Sequence, residues 1–317
     1  MKASCYPFNR LVHILAILLF LFTVSGCASS DPDWVKNLKS EETRAKQTQA
    51  SALFKELCAT RAGERIYQTT EDVEGILLLK VRPTAAEQDR TDQMLPGAAF
   101  VREWGGEEYI KSFLKYERIM TESPPPETRG RGWGHGSRPV DYPKERGQLT
   151  PLPFKEGDPL RPAYRYVDVL APGPTPDSPP LRYRYTGYLD DVSKRDTSYR
   201  KGLLLFKLKK ELAPDPTPRY AVTYEDSLDP NERQYWIAGS TVKVIDTHTN
   251  TVMGEFTRYV YDYSLGFSGS GFYPWLQANR PGVQCPEDEG SKKTSHRTRY
   301  FVDQVLKPAP FQPLPIF

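Results

Sequence analysis

The chain has 317 residues, of which 26% are charged and 38% hydrophobic, with a mean hydropathy of −0.60; this composition excludes a polytopic membrane fold. Lys and Arg number 43 against 40 Asp and Glu, and the net charge of +3 includes Lys2 and Arg10 of a cleavable leader. The remainder is too near neutral for an electrostatic nucleic-acid binder, while 29 prolines and 19 tyrosines favour β-structure with many loops over a helical bundle.

Lys2 and Arg10 precede an apolar run from Leu11 to Val24, which leads into Ser25, Gly26 and Cys27. The run is too short for a permanent membrane helix but matches the apolar region of a secretory signal peptide, so export is expected. Val24-Ser25-Gly26-Cys27 resembles the bacterial lipobox, in which small residues precede a cysteine that is acylated and becomes the new N-terminus. The chain resembles the many proteobacterial lipoproteins defined by a lipobox and a globular periplasmic domain, on residues 1–29 alone. The resemblance implies a signal peptide over 1–26, lipidation of Cys27, and the membrane as a partner through the lipid. Ala28 and Ser29 follow, without the aspartate that signals inner-membrane retention in this class, which implies the outer membrane, facing the periplasm. It implies no reaction.

Residues 27–39 are small, polar and proline-containing and read as a tether. Ser40 is an N-cap candidate ahead of Glu41 and Glu42, and the absence of Gly and Pro until Gly63 predicts a helix with Leu53, Phe54, Leu57 and Cys58 on one stripe. Arg65–Tyr67 and Ile76–Arg82 are predicted strands, the second ending at Pro83. Tyr109–Tyr116 reads as helix or strand, and the preceding Gly105-Gly106 and its aromatics favour a strand or irregular edge. Ser123–Pro180 holds 14 of the prolines and reads mostly as loop. Within it Ala163–Leu170 alternates as a strand and forms a hairpin-like pair with Leu181–Tyr188. Further strands are predicted over Gly202–Lys209, Arg219–Glu225, Gln234–Asp246 and Thr251–Tyr263, with Thr247–Asn250 as a hairpin tip. A Gly- and Ser-rich segment, Gly266–Gly271, precedes Phe272–Leu276. Phe301, Val302, Val305 and Leu306 share one face of a closing helix over Thr298–Lys307. The expected fold is α+β and mostly antiparallel β, a tyrosine-rich sheet with a helix at each end. It occupies residues 40–317 as one domain with a Pro/Gly-rich excursion at 123–162.

With Cys5 in the leader and Cys27 lipidated, Cys58 and Cys285 remain, and an exported chain is expected to bridge them. His135, His248 and His296 stand apart from one another in sequence, so no metal is expected, and no cofactor motif is present. Gly266-Phe267-Ser268-Gly269-Ser270 lacks the last glycine of a nucleophile elbow, and Gly130–Gly136 is not a dinucleotide fingerprint. Tyrosines at alternate positions, Tyr164/Tyr166, Tyr183/Tyr185 and Tyr259/Tyr261/Tyr263, place each set on one sheet face. Such faces stack on a glycan or partner protein, or simply pack across strands. The expected role is a non-enzymatic envelope module that binds or scaffolds a partner. The rival is an envelope hydrolase of glycan or peptide acting through an unrecognised site, with the Gly266–Gly271 loop as one candidate place for it.

Overall fold

A computed structural model describes residues 40–118, 160–175, 177–196, 204–267, 273–287, 296–310 and 314–317. The leader, Cys27, the tether and most of the 123–162 excursion lie outside the described residues. Lys46–Phe317 form one compact unit; of the other, Met1–Ala45, residues 40–45 are described.

Helix α1 (Glu41–Thr60) begins where its cap predicts, with Ser40 Oγ accepting from the Thr43 N–H at 3.1 Å and two acids in the first turn. It buries Ala50, Phe54 and Leu57, with Leu53 and Cys58 alongside, against Ile237, Tyr259 and Tyr261.

The architecture is α+β. Its short opening strands are β1 (Gly63–Ile66), β2 (Thr70–Val73) and β3 (Gly75–Leu78), followed by β4 (Glu117–Arg118), β5 (Leu160–Arg161), β6 (Tyr166–Ala171) and β7 (Leu181–Asp191). Then come β8 (Leu204–Leu212), β9 (Tyr220–Asp226), β10 (Ile237–Asp246), β11 (Thr251–Tyr261), β12 (Gln284–Cys285) and β13 (Leu306–Pro308). The main sheet runs β1-β11-β10-β9-β3-β6-β7-β8, with β12 also on β11. Strand β3 pairs in parallel within it, with β6 on one side and β9 on the other, while the other strand pairs described in this sheet are antiparallel. All four residues of β3 are buried, which suits a parallel strand covered on both faces and explains its unbroken apolar run. The β10–β11 hairpin turns at Thr247–Asn250, where Asn250 takes φ 53°.

One sheet face carries Ile76, Leu78, Val167, Val222, Val242, Val244 and Phe256 into the larger core. Helix α2 (Glu107–Leu114), the short helix α4 (Pro274–Ala278) and helix α5 (Arg297–Val305) contribute to it. Helix α3 (Pro230–Arg233) leads into β10. The closing helix buries Phe301, Val302 and Val305 completely. A methyl at Gly254 would lie 2.8 Å from Val305 Cγ2, so the bare backbone there lets α5 approach the sheet.

Several boundaries differ from the sequence reading. Tyr109–Tyr116 is not a strand: α2 begins after Gly106 at φ 60°, takes Glu107 and Glu108 into its first turn, and buries Tyr109, Ile110, Phe113 and Leu114. That spacing of one, four and five residues is a helical stripe, and it outweighs the β-propensity of the aromatics. The predicted strand to Arg82 stops at Leu78. Asp229-Pro230 opens α3, with Asp229 Oδ1 accepting from the Asn231 N–H at 2.9 Å, so β10 starts at Ile237 rather than Gln234. The closing helix ends at Val305, and Leu306–Pro308 run extended beside β2. Pro308 disfavours the helical conformation at Lys307, which brings the helix to an end before it.

Cys58, near the end of α1, is bonded to Cys285 in β12 with the Cα atoms 5.7 Å apart. The bridge closes a separation of 227 residues and pins α1 beside the sheet face that its apolar stripe covers. The double variant Cys58→Ser/Cys285→Ser is expected to lose about 2–5 kcal/mol of stability in denaturant unfolding. An unchanged midpoint in the oxidised wild type and the variant would contradict this role for the bridge.

Candidate functional site

Beyond β3 the chain bends at Leu79–Lys80 and carries Arg82 inward, where it is 4% exposed. Its guanidinium lies between the rings of Phe100 and Tyr224, 4.1 Å from each centroid. Arg82 Nε donates to Glu103 Oε2 at 2.8 Å, and Asp226 sits 3.6 Å from the same guanidinium. Glu103 also accepts from the Thr298 N–H and hydroxyl, each at 2.7 Å. Burial pushes the Tyr224 hydroxyl above its ordinary value and, more strongly, that of neighbouring Tyr109, so both stay neutral. A buried cation thus joins the exit of β3, the Ala98–Glu103 segment, β9 and the start of α5.

Outward from Glu103 lies an open pocket of about 600 Å³ with Thr84, Arg90, Arg102, Trp104 and Glu108 among its lining residues. Its wall depends on Gly105, where a Cβ would fall 2.3 Å from the Pro83 carbonyl oxygen, and on Gly106, whose N–H donates to the Arg82 carbonyl at 2.8 Å. Trp104 is 43% exposed, with His296 set perpendicular to its ring at 4.8 Å and the Lys115 ammonium 5.7 Å from its centroid. Burial raises the Glu108 carboxyl, but its bond from Lys111 and the charges of Lys115 and Lys111 outweigh this and hold it below the usual carboxylate range. Glu108 is therefore ionised at neutral pH. Arg102 donates to the Leu276 carbonyl at 3.0 Å. Arg90, on the turn Gln88–Thr91, differs from these: its Nε is buried and has no hydrogen-bond partner among the described residues.

Two other hollows, of about 480 and 500 Å³, carry the ion pairs Asp190 with Arg195 and Glu71 with Lys307 in their linings.

The sequence-singled tyrosines do not share a surface. Tyr164 precedes β6, is buried, and donates to the Leu306 carbonyl at 2.7 Å. Tyr183 and Tyr185 lie opposite Val169 and Val167 and face the larger core. Tyr166 is on the reverse face, under the Arg184 guanidinium at 3.7 Å, and Arg184 donates to buried Asp168 at 2.8 and 3.0 Å. Tyr259 and Tyr261 pack against α1, and burial pushes the Tyr261 hydroxyl up to about 12. Tyr263 is 52% exposed.

Cys27, the Gly130–Gly136 run and Ser268–Gly271 lie outside the described residues. Among the described residues no group of three His, Cys, Asp or Glu could hold a metal, and no helix is long and apolar enough to cross a membrane. Sequence reasoning passed over Arg82 and the pocket. The available signals were a lone arginine closing an apolar run before Pro83, and Trp104 set directly against a glycine pair.

Arg82→Ala should cost about 3–5 kcal/mol in urea unfolding, because it strands the Glu103 carboxylate in the interior. A loss below about 1 kcal/mol, the level of a surface ion pair, would show that the cluster is not a structural tie.

No family model, curated protein or solved structure matches this chain at a significant level.

Proposed function

We propose that the chain is an envelope lipoprotein, exported by its leader and held at the periplasmic side of the outer membrane by acylated Cys27, with an α+β body that binds a ligand or partner. The observation that carries the exported location is the Cys58–Cys285 disulfide, since such bonds persist in oxidising compartments. The lipobox resemblance at Val24–Cys27 adds the anchor. The binding role is supported by how the interior charges are used. Glu103 and Asp168 are each engaged by arginine and act as ties between elements, whereas the Trp104 pocket keeps an exposed aromatic ring near Arg90.

Cys27→Ser is the direct test. The variant is expected to accumulate as an unacylated precursor that keeps the Leu11–Val24 run, heavier than the mature form and without acyl label. Normal maturation with retained membrane partitioning would reject the anchor.

A further inference from the structure

We propose that the Trp104 pocket binds an anionic saccharide unit, a pyranose bearing one carboxylate or phosphate, with its C–H face on the Trp104 indole and its anionic group on Arg90. This deepens the reading of the body as a binding module and rests on it.

The anion follows from Arg90. A guanidinium is always charged, and its planar fork matches carboxylate and phosphate oxygens. Buried polar groups are almost always hydrogen-bonded, yet the buried Nε of Arg90 finds no partner among the described residues. Arg90 lines the open pocket, and an oxyanion there meets the outer N–H groups of its fork rather than the buried one. The neighbouring cations have other duties: Arg102 donates to the Leu276 carbonyl and Lys111 pairs with Glu108.

The sugar follows from the rest of the lining. Trp104 keeps 43% of its surface exposed while His296 and Lys115 hold its ring in place. An indole fixed at the mouth of a pocket is an apolar platform with wet edges. The electron-rich face that attracts cations also attracts the polarised C–H bonds on one side of a pyranose. Glu108, kept ionised by its lysines, and the Thr84 hydroxyl offer acceptors for sugar hydroxyl groups. At about 600 Å³ and open to solvent, the pocket suits a ligand that stays partly hydrated.

The test is calorimetric titration of the full-length protein with glucuronic acid, glucose 6-phosphate, glucose and AMP, with tryptophan fluorescence recorded in parallel. Saturable, salt-weakened binding of at least one acidic sugar is expected, with glucose weaker by about tenfold or more for want of the charge-assisted bond. Preference for glucuronic acid or for glucose 6-phosphate tells a carboxylated from a phosphorylated source. Arg90→Ala should erase the advantage of the acidic sugar over glucose, and Trp104→Ala should weaken all the sugars and remove the fluorescence change. Arg90→Gln and Trp104→Leu serve where the alanine variants unfold at lower temperature than the wild type. No binding of acidic sugars at millimolar concentration, unchanged affinity in the Arg90 variants, or binding of AMP alone would each overturn the proposal. Failure of Cys27 acylation would leave these titrations unaltered, so anchor and pocket stand or fall separately.

Discussion

A full positive charge in the interior is tolerable only where its surroundings answer it, and the requirement at Arg82 organises much of this structure. Two aromatic rings, one close carboxylate and a second acid at 3.6 Å must all converge on one guanidinium. They come from the Ala98–Glu103 segment and from β9, and Glu103 is in turn held by Thr298 at the start of α5. The register of these elements is set by a geometry that tolerates little displacement. The pocket beyond Glu103 inherits that rigidity, because Trp104 and Gly105 follow it directly in the chain.

Other arginines answer a different need. A chain so rich in proline leaves many loop carbonyls without ladder partners, and buried backbone acceptors must be satisfied. Arg299, fully buried, donates to the carbonyls of Ser112, Lys115 and Pro162 and pairs with Asp303. Arg233 donates to the carbonyls of Ser227 and Gln93 and lies over Trp275. With five donors in a rigid fork, each binds loops that no strand could pair. These arginines therefore read as structural, whereas Arg90 lines the pocket and its Nε has no such carbonyl.

The reverse face of the sheet is covered by simpler means. The α1 stripe meets Ile237, Tyr259 and Tyr261, and the disulfide holds the end of the helix beside β12, which pairs with β11 at Tyr259. Apolar burial supplies the attraction, and the covalent bond removes the entropy of separating two ends of a long loop.

Local pattern determined the elements whose signals are local. The capped α1 with its apolar stripe, the β10–β11 hairpin around Asn250, the apolar face of α5 and the pairing of Cys58 with Cys285 were all legible, because capping, alternation and cysteine number act over short spans or by simple count. Tertiary structure alone decided the rest. Tyr109–Leu114 became helical because its stripe faces the core, although its aromatics favour strand. The parallel placement of β3 between β6 and β9 joins segments far apart in the chain, which no window of sequence reports. The tyrosine pairs share a face within one strand, but which face meets a core depends on what packs there, so Tyr166 and Tyr185 part company. The pocket was hidden for the same reason: Arg90, Trp104 and Leu276 meet only after folding, and whether the Arg90 Nε has a partner is a property of its neighbours rather than of its own residue type.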